Sequence, residues 1–178
     1  MTLKTCKNII LIGFMGTGKT AVGHTLATRL CWEFIDTDNI IVERSGKSIH
    51  RIFTEDGEGY FRKLEEEVIK ELTRLSNKVI ATGGGAILTP GNREKLKRSG
   101  TVFLLTASPR TIYQRLKGDS SRPLLQGEYM LNRIEELLKL RDEYYLLAAD
   151  YVIDTNGARP EEVCDAILQI LLNQKGGK

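Results

Sequence analysis

Apolar positions along the chain follow two alternating patterns. Short, nearly unbroken apolar runs are separated by longer stretches in which apolar residues recur every three or four positions. Strands alternating with amphipathic helices produce this pattern. The runs predict strands over 8–14, 33–36, 78–81, 101–105 and 151–154. The first and fourth are almost continuously apolar, as in Ile9-Ile10-Leu11-Ile12 and Val102-Phe103-Leu104-Leu105. Strands buried on both faces read this way, so the expected sheet is mostly parallel with helices over it. The periodic stretches predict helices over 19–30, 38–45, 60–75, 92–98, 108–117, 128–149 (one long helix or two) and 159–173. Phe61, Leu64, Val68, Leu72 and Leu75 share one face of the third. Ser108 caps the fifth with Pro109 in its first position. In the last, Pro160 stands early and Val163, Ile167, Ile170 and Leu171 share a face.

The stretch 117–128 breaks the pattern. It is polar and rich in Gly, Pro and Ser around a lone Leu124-Leu125 pair, and too long for a tight connection. It is either a functional lid or a slack surface loop. The full 178 residues suit a single domain, and 41% hydrophobic with 28% charged residues argues against disorder. A net charge of +3 is too small to imply a nucleic-acid partner. Cys6, Cys31 and Cys164 lie far apart with no CxxC pair, which indicates neither a zinc ribbon nor a disulfide framework and points to core filling or no special role, in a reducing cytosol. No apolar run approaches the ~20 residues that span a bilayer. Lys4 and Lys7 followed by an apolar run imitate a secretory signal. That run, however, passes straight into Gly16-Thr17-Gly18-Lys19, with a lysine where a cleavage site should stand, so no signal peptide is expected.

The strongest chemical signal is Gly13-Phe14-Met15-Gly16-Thr17-Gly18-Lys19-Thr20, a full G-x-x-x-x-G-K-[ST] motif between a buried strand and an amphipathic helix. Its glycines let backbone N–H groups wrap a phosphate, and the new helix turns its unpaired N–H groups toward the anion. Lys19 supplies charge to the β- and γ-phosphates, and the Thr20 hydroxyl can ligate Mg²⁺. No Asn-Lys-x-Asp string reads guanine; the nearest, Asn77-Lys78-Val79-Ile80, lacks the Asp. An ATP-using enzyme is therefore preferred to a regulatory GTPase.

Asp36-Thr37-Asp38 ends the second strand candidate, on the carboxyl side where open α/β sheets bind ligands. One carboxylate can order Mg²⁺ and the other can meet an acceptor hydroxyl; a turn plus a helix cap is the plainer alternative. Gly83-Gly84-Gly85 follows the third strand candidate and suggests close approach of a ligand to backbone, or else a tight turn. Arg62 and Arg141, singly, read as surface arginines; as a pair near the site they would clamp a small carboxylate or phosphate. Arg122 lies inside the expected lid, where an arginine can stabilise a transferring phosphoryl group. His24 and His50 are isolated and receive no catalytic role, and Trp32 reads as packing.

Taken together these strings resemble the shikimate kinases along nearly the whole chain. The resemblance rests on GFMGTGKT at 13–20, DTD at 36–38, GEGYFRKLE at 57–65, TGGG at 82–85, RPLL at 122–125, and Arg141 with Tyr144-Tyr145. It implies an α/β fold of the P-loop kinase type, related to nucleoside-monophosphate kinases. Three α/β/α layers would surround a five-stranded parallel sheet in one domain over 1–178, with a substrate-binding region near 38–62 and a mobile lid near 117–128. It implies the reaction ATP + shikimate → ADP + 3-phosphoshikimate, on the route to chorismate and the aromatic amino acids. Gly16, Thr17, Gly18, Lys19 and Thr20 would hold the phosphates, and Thr20 with Asp36 would serve Mg²⁺. Asp38 would contact the acceptor hydroxyls as candidate base, Arg62 and Arg141 the carboxylate, and the Gly83, Gly84 and Gly85 backbone the ring. Arg122 would close over the phosphates, while Arg115 and Pro160 would flank adenine. The implied protein is a cytoplasmic monomer with ATP and shikimate as its partners and neither nucleic acid nor membrane. Two alternatives stay open: another small-molecule kinase such as a gluconate kinase, and a catalytically silent nucleotide-binding module.

Overall fold

The computed structural model describes residues 7–117 and 130–173. Five strands, β1 (Asn8–Ile12), β2 (Glu33–Asp36), β3 (Lys78–Ala81), β4 (Thr101–Thr106) and β5 (Tyr151–Asp154), form one all-parallel sheet in the order β2-β3-β1-β4-β5. Every residue of β1 is buried. Side chains of a strand alternate between faces, and here both faces are covered, which explains the unbroken apolar runs. Ile9, Leu11, Val79 and Phe103 pack on Val22 and Leu26 of α1 (Lys19–Leu30) and on Val163 and Ile167 of α8 (Pro160–Asn173). Ile10, Ile12, Val102 and Leu104 face the other layer. They meet Ile69 of α4 (Glu58–Leu72), Leu96 of α5 (Pro90–Ser99) and Ile134 and Leu137 of α7 (Met130–Ala148). The result is the expected three-layer α/β/α domain. Each isoleucine taken fully out of water contributes roughly 1.5–3 kcal/mol before entropy is counted.

The strand order places the ligand crevice. From β1 the chain leaves through α1 toward β2, while from the adjacent β4 it leaves through α6 (Pro109–Leu116) toward β5 on the opposite side. The carboxyl ends of β1 and β4 therefore open a cleft, as at other switch points of doubly wound sheets.

Several boundaries differ from the sequence expectation. The first strand stops at Ile12 instead of residue 14, because Gly13 adopts φ +141° against the Leu105 carbonyl and turns the chain away. The 60–75 helix starts at Glu58 and ends at Leu72; Leu75 lies past it, exposed, in a turn that reaches β3 through Asn77 at φ +59°. The long helix is one element as far as it is described. Between α2 (Thr37–Ser45) and α4 the chain forms structure that periodicity did not indicate: the short α3 (Ile49–Arg51) runs into one π-turn, Ile52–Asp56, closed by the Gly57 amide donating to the Ile52 carbonyl at 2.9 Å. A 3₁₀ turn, Ala86–Leu88, follows the triple glycine. Trp32 packs on the core, Cys164 is buried in it and Cys31 is exposed. Cys6, Arg122 and the lid expected near 117–128, apart from Lys117, lie outside the described residues.

Candidate active site

The loop after β1 is held open by its own backbone. Gly18 at φ +93° caps α1, a conformation that a side chain would strain, and leaves the first α1 amides facing outward. The Lys19 Nζ donates to the Gly13 and Phe14 carbonyls at 2.9 Å each and so spans the loop. The Thr17 hydroxyl donates to Phe14 O at 2.8 Å. Arg115 on α6 braces the loop from outside, donating to Gly16 O at 3.1 Å and to Thr155 O at 2.7 Å. A cleft of about 310 Å³ opens over this loop, lined by Gly16, Gly18, Lys19, Thr20, Thr82 and Arg115, among others.

Asp36, at the end of β2, is the helix cap the sequence allowed, and its second oxygen meets the phosphate loop. Its Oδ1 caps α2 by accepting from the Asp38 amide at 3.0 Å, and its Oδ2 accepts from the Thr20 hydroxyl at 3.2 Å. The hydroxyl and carboxylate are hard oxygen donors at the edge of the phosphate cleft. Among the described residues there is no cluster of three or more His, Cys, Asp or Glu that could hold a metal. Two protein oxygens beside a phosphate site suit Mg²⁺, which keeps most of its shell from water and phosphate.

A second cavity of about 530 Å³ lies beside the first, lined by Asp38, Phe61, Arg62, Gly83–85 and Arg141, among others. Met15, Thr20, Asp36, Asp38 and Gly84 line both. The two chambers meet at the paired carboxylates.

Two of the three glycines, Gly83 and Gly85, are crowded by charged side chains. A Cβ at Gly83 would lie 2.6 Å from Asp38 Oδ1 and 2.9 Å from Glu65 Oε1, and one at Gly85 would fall onto the Arg62 guanidinium. The Gly83 amide donates to Thr37 Oγ1 at 3.0 Å, tying this turn to α2. Arg62 donates to Glu65 at 2.7 Å and to Glu58 at 3.0 Å. Glu65 is fully buried, and burial pushes its carboxyl up to about 7; Arg62 opposes the rise and Asp38 adds to it. Its second oxygen, Oε1, has no hydrogen-bond partner among the described residues. On α7, the Arg141 guanidinium sits 5.7 Å over the Phe14 ring and donates to Gly84 O at 3.5 Å. The buried Tyr145 donates to the same carbonyl at 2.5 Å.

Asp36, Asp38, Arg62, Gly83, Gly84, Gly85 and Arg141 therefore meet around one cavity, and Lys19, Thr20 and Arg115 around its neighbour. Pro160, at the start of α8, lines neither. Sequence reasoning had assigned no role of their own to Glu65 and Tyr145, although both lie in strings it had quoted. His50, set aside as isolated, lines the cavity of about 530 Å³.

The family model described as shikimate kinase matches residues 15–172. A shikimate kinase of Thermodesulfovibrio yellowstonii is 47% identical over 172 residues, covering 97% of this chain and 99% of that protein. One of Caldanaerobacter subterraneus subsp. tengcongensis is 45% identical, covering 96% of this chain and 99% of that protein. Among solved structures, the shikimate kinase from Acinetobacter baumannii in complex with shikimate matches with a TM-score of 0.94 at 43% identity, covering 97% of each chain.

Proposed function

The chain belongs to the shikimate kinase family and is an ATP-dependent phosphotransferase acting on shikimate, and we propose how its residues divide the reaction. The observation that carries the assignment of roles is the meeting of the two cavities at Asp36 and Asp38. A phosphate held over the loop and a hydroxyl held beside Asp38 would face each other there without any large movement of the sheet.

Backbone amides of residues 16–20 and the Lys19 ammonium hold the β- and γ-phosphates. Phosphoryl transfer depends chiefly on positioning and on stabilising spread charge, and this cradle provides both. Thr20 and Asp36 would hold Mg²⁺, which when bound neutralises charge on the β- and γ-phosphates. Arg62 and Arg141 take the acceptor carboxylate, with Glu65 fixing Arg62 and Gly84 O aligning Arg141. The Gly83–Gly85 backbone lies against the ring. Asp38 accepts a hydrogen bond from the 3-hydroxyl, orients its oxygen toward the γ-phosphorus, and receives the proton as that oxygen bonds to phosphorus and the β,γ-bridging oxygen leaves with ADP. Arg115 and Pro160 flank the adenine, a reading supported for Arg115 by its place in the nucleotide cleft. Arg122 would stabilise the charge on the transferring phosphoryl group, the role the family resemblance implies for it.

The protein acts as a single cytoplasmic domain and a monomer, with no nucleic-acid or membrane partner. Among the described residues no helix is long and apolar enough to cross a membrane. Asp38→Asn tests the division of roles. It should lower kcat by roughly 10²–10⁴ while the KM for ATP stays within about twofold. An unchanged kcat would remove Asp38 as the proton acceptor.

A further inference from the structure

One wall of the acceptor cavity has no part in the reaction just described. It is formed by Ser48, His50 and Phe53, on α3 and the π-turn that join α2 to α4. That wall is fixed independently of His50. Ile52 is fully buried beneath it, the Phe53 ring lies 4.9 Å from the Phe61 ring, and Ser48 caps α3 by accepting from the Arg51 amide. The His50 imidazole is half-buried in the cavity wall. Among the described residues it makes no hydrogen bond, ion pair or ring contact. Other cations nearby are engaged: Arg62 with Glu58 and Glu65, Arg141 with Gly84 O, and Arg51 with Glu55.

A ligand filling this cavity takes the imidazole out of contact with solvent, so a ring nitrogen left facing carbon would cost the full desolvation of a polar group. An acceptor carrying several oxygens removes that cost. The geometry points to His50 as a further specificity-determining residue for the acceptor, one ring nitrogen donating to an oxygen of the bound anionic polyol. This rests on the reading of that cavity as the acceptor site.

The test compares the whole protein with His50→Leu and His50→Gln, by steady-state kinetics with each substrate varied and by calorimetric titration with shikimate. His50→Leu should raise the acceptor KM about 3- to 10-fold and leave the KM for ATP unchanged. His50→Gln, which keeps a side-chain N–H donor, should recover part of that loss. Both variants within about 1.5-fold of wild type would overturn the inference and leave the acceptor reading standing. Absence of shikimate binding to the wild-type protein would overturn both.

Discussion

Gly85→Ala probes the acceptor site without removing any charge. The backbone here, φ −106° and ψ −2°, accommodates alanine, so the change acts through the methyl group alone. An ideal Cβ would stand 2.7 Å from Arg62 Nη1 and 2.9 Å from Cζ, with Nη2 closer still. Ordinary contact begins near 3.4 Å, so Nη1 must retreat by about 0.7 Å, away from a site where it donates to Glu65 at 2.7 Å. The guanidinium ends a flexible side chain and can yield, so the fold survives. Charge-assisted hydrogen bonds of this kind are worth about 1.5–3 kcal/mol. Losing one aimed at the acceptor carboxylate should lower kcat/KM for shikimate roughly 10- to 100-fold. The buried Glu65, deprived of its cation, takes up a proton, which its carboxyl does readily near pH 7. Unfolding free energy should therefore change by less than about 2 kcal/mol. The assay is steady-state kinetics with each substrate varied, beside a urea melt. A folded variant whose shikimate kcat/KM stays within twofold of wild type would refute the reasoning, as would a KM for ATP that rises as far as that for shikimate.

Lys19→Met should lower kcat at least 100-fold with the circular dichroism spectrum unchanged, because the cost falls on transition-state charge; full turnover in the folded variant would contradict the phosphate-loop assignment. Glu65 links stability to pH. Its carboxyl binds a proton more readily folded, at about 7, than at its ordinary value of 4.5. The folded state therefore holds the extra proton between those values, and this group's contribution falls as pH rises from about 4.5 to 7, by roughly 3 kcal/mol at most. Urea midpoints from pH 5 to 8 should show that decline in wild type relative to Glu65→Gln; a wild type that gains stability relative to the variant as pH rises would contradict the sign.

The parts of the site legible in the sequence are those whose chemistry needs neighbouring residues. The phosphate loop is such a case: Gly13 through Thr20 meet one ligand, so their spacing encodes their geometry. Asp36 and Asp38 are another: one oxygen of Asp36 caps the next helix, and the other, on the Thr20 hydroxyl, is left for the metal role proposed above. What stayed hidden depends on elements far apart in the chain. Arg62 and Glu65 sit three apart on a helix, the spacing of an ordinary surface pair; only the packing of α4 against the glycine turn, about twenty residues on, buries the carboxylate and raises its pKa. Tyr145 reaches Gly84 across 61 positions. The segment from Lys47 to Asp56 has only Ile49, Ile52 and Phe53 at helical spacing, a shorter run than the window a helix is read from, and its Ile52 is buried in the cluster that holds Phe61. His50 looked isolated for the same reason: its site is made by tertiary packing.

The most direct test of the central claim is ADP release with ATP and Mg²⁺, measured with shikimate, with gluconate and with no acceptor. The two arginines alone would admit either anionic polyol. The arrangement of Asp38, the glycine turn and Arg62 predicts rapid release with shikimate and only background release in the other two arms. Release with gluconate alone, or at one rate in all three arms, would contradict it.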